Sequence, residues 1–250
     1  ALTVVFIIGY IFIKGVPNLS LDLFSLKYSS SNQSMLPSII NTVYLTALTL
    51  LLAVPIGIFS AIYLAEYSRK NSFFVKIINI ANETLSGIPS IVYGLFGFLA
   101  FVISKKWGYS LLAGVITLAI MVLPLIIRTS QEAMLGVDNT FREASYGLGA
   151  GKLRTVFKIV LPSAMPGILS GIILAIGRIV GETALIYTAG TVPEAATKLT
   201  SSSRTISVHL YCLLNEGLYT EQAYATAVVL IVFVVIINAL SNALAKKIMK

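Results

Sequence analysis

Long apolar runs separated by short polar stretches set the pattern of the chain. They fall at residues 38–65, 86–103, 111–127, 166–187 and 223–244. About 20 apolar residues carry a helix across a bilayer, so each run predicts a spanning helix. A shorter run at 1–13 is expected to be the latter part of a further helix. It has no basic leader and no small-residue cleavage pattern before Lys14, which sets it apart from a signal peptide. The reading is an all-α, polytopic integral membrane protein with six transmembrane helices, the first incomplete. Composition agrees with it. Of the 250 residues, 57% are hydrophobic and 11% charged, and the mean hydropathy is +0.90. That leaves too little polar surface for a water-soluble fold.

Charge then orients the helices. Eleven of the 18 Lys and Arg residues, Arg69, Lys70 and Lys250 among them, belong to the 67–82 loop, the 128–163 loop and the C-terminal tail. Six lie on the other side, and Arg178 falls within a run. The richer side is expected to be cytoplasmic, with both termini inside. The net charge of +8 is scattered between apolar runs rather than gathered into a stripe, which argues against nucleic acid. The only cysteine, Cys212, and the only histidine, His209, exclude an intrachain disulfide and a Cys/His metal site. No catalytic residue and no metal is expected. The outer loop 188–222, rich in Ser and Thr, reads as a solvated connector or as a gate or docking surface, with short interfacial helices around 208–214.

The segment 136–166, GVDNTFREASYGLGAGKLRTVFKIVLPSAMP, is long for a connector and patterned. Asp138 or Asn139 suits the N-cap of a short helix with Glu143 in its first turn. Gly147, Gly149 and Gly151 break it, and a second amphipathic piece from Lys152 to Val160 is expected to end at Pro162. GLGAGK at 147–152 is not a phosphate-binding loop. Tyr146 and Leu153 stand where that motif needs Gly and Ser or Thr, and no strand precedes it. Any ATP must therefore be handled by another subunit.

Glu143-Ala144-Ser145, Gly149, Ile159 and Leu161-Pro162, at their fixed spacing, resemble the EAA loop of type I ABC-importer permeases, the binding-protein-dependent transport family. Ser145 stands where the second Ala is usual. The resemblance implies that the short helix docks in a groove on an ATP-binding subunit, through Glu143, Ala144, Ser145, Gly149, Ile159, Leu161 and Pro162. It implies the division 1–35, first transmembrane helix and extracytoplasmic loop, and 36–247, type-1 transmembrane domain with its coupling loop at 136–165.

Within the runs, Arg178 and Glu182 stand four residues apart and would share one helical face. A charge at the bilayer centre costs about 2.5–3.5 kcal/mol on insertion scales, so both are expected to face inward. Either they form an intrahelical ion pair, or Arg178 belongs to an anion path with Glu182 holding its guanidinium. Gly167 with Gly171, and Gly177 with Gly181, offer small faces for helix contact. Gly87-Ile88-Pro89-Ser90, followed by Gly94 and Gly97, predicts a kink or a break in the third span. A break would expose N–H groups suited to an anion. Thr42, Thr46 and Thr49, with Asn41 beside them, either bond to helices or line a path.

GIPSIVYGLFG at 87–97, LPLIIRTSQEA at 123–133, the EAA loop and GRIVGETA at 177–184 together resemble the permeases of the phosphate-specific transport system, from residue 36 onward. GETA followed by TAGTVPE is nearer the A-type of that system's two permeases, with Leu185 where many A-type members carry Pro. The resemblance implies a substrate pathway at Arg178, Gly181, Glu182 and Thr183, and a heterodimer with a C-type permease. Two ATP-binding subunits binding ATP and Mg, an extracytoplasmic phosphate-binding protein, phosphate and membrane lipids would be its partners, with no cofactor in this chain. Alternatives are a permease for another oxyanion such as sulfate or molybdate, and an ATPase-independent secondary transporter.

Overall fold

A computed structural model of the chain describes residues 2–68 and 73–248, and every regular element among them is helical. Arg69, Lys70 and Lys250 lie outside the described residues. The helices are α1 (Leu2–Gly15), α2 (Leu36–Tyr67), α3 (Phe73–Gly87), α4 (Ser90–Ser104), α5 (Leu111–Leu135), α6 (Asn139–Gly147), α7 (Lys152–Val180), α8 (Ile206–Glu216) and α9 (Thr220–Ile248). Among the described residues α2, α5, α7 and α9 are each long and apolar enough to cross a membrane. The third expected span is instead a helix pair, α3 and α4, that passes that test only when taken together.

Three boundaries differ from the sequence reading. The expected 67–82 loop is largely helix α3, and Ile88-Pro89 separates it from α4. Proline removes an N–H and drives the residue before it out of the α region, so the chain breaks there rather than kinking. Pro162 does not end a helix: α7 runs through it and through Pro166. A wide π-turn at Val156–Val160 lies just ahead of Pro162, and such turns shift the bonding register to accommodate a missing donor. Finally, α7 stops at Val180, short of the expected 187.

The helices divide into two compact units. The first takes the chain up to Thr49, Pro89–Leu118 and Arg178–Ile237. Leu23, Met35 and Ala225 form its buried cluster, packed by Ile39 and Val229. Its outer segment is tied down by backbone groups that would otherwise be orphaned. Ser110, Leu111 and Leu112 at the start of α5 donate to the carbonyls of Thr188, Ser201 and Leu199 at 3.0, 2.9 and 2.9 Å. A buried Asn41 donates to the Glu194 and Arg204 carbonyls at 2.8 and 3.2 Å and accepts from the Ala196 N–H at 2.8 Å. Thr42 accepts from the Ile206 N–H at 2.9 Å. Asn41 and Thr42 are thus brackets for the outer segment.

The second unit takes Leu50–Ile88, Ala119–Gly177 and the chain from Asn238 on. Ala61, Ile62, Met134, Val137, Val156, Val160, Ala164 and Ile168 form its core. Here the small face at Gly167 and Gly171 does the packing expected of it. A methyl group at Gly167 would lie 2.6 Å from the Ala133 Cβ, and one at Gly171 would run into Thr129. Gly177, by contrast, has open space around it.

In the first unit α4 approaches the short 3₁₀ turn Ala184–Tyr187 through Gly94, where an added Cβ would sit 2.7 Å from the Ala184 carbonyl oxygen. Gly94→Val should therefore lower stability by about 1–3 kcal/mol through overpacking. A melting curve of the purified chain in detergent measures it, and an unchanged melting temperature would show that the contact is dispensable.

Candidate translocation and docking sites

The end of α7 gathers the residues expected to form a substrate pathway. With the helix stopped at Val180, Arg178 is still helical while Gly181, Glu182 and Thr183 lie beyond its last turn. The shared helical face expected for Arg178 and Glu182 is therefore absent. Glu182, 8% exposed, accepts from the Ala184 N–H at 2.9 Å and thereby starts the 3₁₀ turn. The ion pairs among the described residues are Arg128–Glu132 and Arg142–Glu66; none joins Arg178 to Glu182. Across the break, the Ser207 hydroxyl donates to the Val180 carbonyl at 2.6 Å.

Arg178 is half-buried and its charge reaches the buried Tyr93 of α4. Gly181 and Thr183 are exposed. Thr183 opens on a cavity of ≈ 100 Å³, together with Ser90 at the start of α4 and the phenol-bearing Tyr187 and Tyr211. Arg178 is not among the residues that line this cavity, whose polar groups are neutral hydroxyls.

The outer helix α8 covers the expected 208–214 and buries one face, through Ile206, Ser207, Val208, His209 and Leu213, while Tyr211 and Leu214 are exposed. Thr205 caps it by accepting from the Val208 N–H at 3.3 Å, and Gly217 ends it at a φ of 68°. Arg204, 4% exposed, rests its guanidinium over the Tyr28 ring at 4.7 Å. Burial pushes the His209 imidazole down to about 3, helped by the Arg204 charge and opposed by a contact with the Gln33 backbone.

The 136–165 segment forms the expected short helix. Asp138 caps α6, accepting from the Thr140 N–H at 2.9 Å and the Thr140 hydroxyl at 2.7 Å. Those bonds hold the Asp138 carboxyl below its ordinary range. Gly149, at a φ of 79°, turns the chain away in the left-handed region that glycine enters without strain. Glu143, Ala144 and Gly149 are exposed. So are Phe141, Tyr146, Leu153 and above all Leu148 at 90%. A recess of ≈ 320 Å³ opens beside them, walled by Phe141, Val137, Ala133 and Ala164. Ser145, however, is buried and shares a 2.8 Å hydrogen bond with Thr155, pinning α6 to α7. Ile159 is half-buried, as is Leu161, and Pro162 is exposed.

Arg142, Glu66 and Ser207 carry much of this geometry and were not expected to. Arg142 was legible as the residue just before the Glu-Ala-Ser triplet; its partner Glu66 lies 76 residues away in sequence and had no signal of its own.

The profile of the family described as binding-protein-dependent transport system inner membrane component matches residues 53–250. The chain belongs to that family. This member is 32% identical over 249 residues to the probable ABC transporter permease protein YqgI of Bacillus subtilis, covering 92% of this chain and 84% of the relative. It is 35% identical over 230 residues to the phosphate transport system permease protein PstA of Pasteurella multocida, covering 90% and 81%. Its fold is that of solved ABC importers. The TM-score is 0.71 to a bacterial alginate ABC transporter in complex with an alginate-bound periplasmic protein, at 17% identity and 96% and 87% coverage. To the inward-facing MetNI methionine ABC transporter it is 0.65, at 16% identity and 97% and 98% coverage. The chain is therefore a membrane-embedded transport subunit rather than a catalytic one.

A buried neutral imidazole gives this member a pH signature. His209 takes up a proton in the unfolded chain below its ordinary value of 6.5 but in the folded chain only near 3. Its stabilisation is complete above pH 6.5 and declines as the pH falls toward 3, by up to about 1.4 kcal/mol per pH unit. Melting temperatures in detergent at pH 7.5 and pH 5 should show the decline, and His209→Gln should flatten it. A wild-type melting temperature equal at both pH values would contradict a buried, neutral His209.

Proposed function

We propose that this chain is the A-type permease of an ATP-driven importer of inorganic phosphate. What carries the reading is the similarity to phosphate transport permeases over most of both chains, joined to a capped, exposed docking helix at the position of the EAA residues. In the proposed arrangement it pairs with a C-type permease in a bacterial or archaeal cytoplasmic membrane, both termini inside. An extracytoplasmic binding protein delivers phosphate, and two ATP-binding subunits, which hold the ATP and Mg, do the hydrolysis.

The residues divide the work. Leu148, on its glycine turn, enters a cleft on an ATP-binding subunit, with Glu143 and Tyr146 on the flanking surface; an exposed apolar tip rimmed by a charge suits such a groove. When ATP closes those subunits, α6 is displaced. Arg178 offers an anion a counter-charge where the hydration it loses is costly to replace. Thr183, on the open side of the break, adds a hydroxyl. Glu182 serves by holding the break in shape, and its negative charge keeps the site from retaining the anion.

Arg178→Gln should lower ATP-dependent phosphate uptake by about tenfold or more, the scale of one lost charge-assisted contact, while the ATP-binding subunits still co-purify. Unchanged uptake by vesicles carrying the four-component system would remove Arg178 from the path. Sulfate and molybdate serve there as competitors: abolition of uptake by either would reassign the substrate to another oxyanion.

Glu143→Lys should weaken recovery of the ATP-binding subunit on an affinity-tagged permease. Equal recovery would place docking elsewhere.

A further inference from the structure

Arg142 sits next to the docking residues yet points away from any partner, into the protein. Its Nη2 and Nε donate to Glu66 Oε1 at 2.7 and 3.1 Å. Nη2 also donates to the Met134 carbonyl at 2.8 Å, and Nη1 to the Val137 carbonyl at 2.7 Å and to Asn139 Oδ1 at 3.3 Å. One guanidinium thus joins α6 to the last turn of α2, which holds Glu66, and to the end of α5, which holds Met134. The side chains are 14% and 6% exposed for Arg142 and Glu66. The second unit's core includes Ile62 on α2, Met134 on α5, Val137 in the link between α5 and α6, and Val156 on α7.

Only an arginine meets these demands, because its planar fork offers five donors in fixed directions where a lysine offers a single point charge. An ion pair in this setting is costly to form and costlier to break, since either charge left alone stays poorly solvated. Selection for stability alone could use an apolar pair of the same volume. A polar joint adds direction, because the bonds fix the orientation of α6 relative to both helix ends.

We infer that the Glu66–Arg142 pair is a rigid joint that transmits displacement of α6 into α2 and α5. The inference rests on the docking role proposed above. Glu66 is a positioning residue in it: it touches neither cargo nor the ATP-binding subunit and acts through Arg142. Docking and transmission become separable functions of adjacent residues, Glu143 facing out and Arg142 facing in.

The test uses the complete importer in vesicles and takes the ratio of phosphate taken up to ATP hydrolysed, only from complexes carrying their ATP-binding subunits. Glu66→Gln should leave recovery of those subunits unchanged and lower the ratio by about five- to tenfold, the scale of a modest coupling free energy. An unchanged ratio would overturn the inference, whereas loss of the subunits from Glu66→Gln would assign the pair to assembly instead of transmission and overturn it too. A second variant tests rigidity directly. Cys212 is the only cysteine, so Glu66→Cys with Arg142→Cys in a Cys212→Ser background can be bridged by a bis-maleimide of ion-pair length. Bridging should raise the ratio above that of the unbridged variant. A bridge that stops transport would show that the joint must open during the cycle.

Discussion

The constraint on which the structure depends is that backbone N–H and C=O groups in apolar surroundings must find partners inside the protein. Continuous helices satisfy it automatically, but this chain breaks its helices at Ile88-Pro89 and after Val180. The second break is repaired by two side chains: Ser207 takes the Val180 carbonyl and Glu182 takes the Ala184 N–H. The outer segment obeys the same rule, using its own carbonyls to serve the first N–H groups of α5 and Asn41 to hold its middle. Irregular backbone next to Arg178 is thereby affordable, and it is irregular backbone that frees Thr183 to meet a cavity.

The 136–165 segment solves a different problem, that of being exposed without being loose. Its outward residues are free for a partner, while Asp138, Arg142 and Ser145 hold it from within by a cap, a buried ion pair and a hydroxyl bond to Thr155. Each anchor uses a group the docking surface does not need. Ser145, where Ala is usual in the family's motif, is more than a tolerated exchange. Its hydroxyl has a buried partner, Thr155, which alanine would leave with only its longer 3.3 Å bond to the Gly151 carbonyl, at a cost of about 1 kcal/mol.

Much of this was legible in the sequence. Spans at α2, α5 and α9 follow from apolar length, the short helix α6 from Asp138 and the three glycines, and the close contact at Gly167 and Gly171 from small residues at four-residue spacing. Where the reading went wrong, the competing principle can be named. The expectation that Pro162 would end a helix gave way to a π-turn that absorbs the missing donor. The helical face shared by Arg178 and Glu182 assumed that an apolar run keeps its helix to the end, and Gly181 with the partners at Ser207 and Ala184 made stopping cheaper. Thr42 was weighed as lining of a path because nothing in the sequence shows the outer segment returning to meet it.

Composition, apolar run length and motif spacing by themselves determined the solvent, the helical class, the membrane family and the short capped helix of the 136–165 segment. These are properties of single segments, set by local periodicity and by transfer from water. Only the tertiary structure decided which residue satisfies which. Glu66 with Arg142, Asn41 with the 194–204 backbone and Ser207 with Val180 are pairings over 76, about 155 and 27 residues of chain. Hydrogen bonds and ion pairs are short-ranged and directional, so their partners are fixed by where the helices end, and no local pattern carries that information.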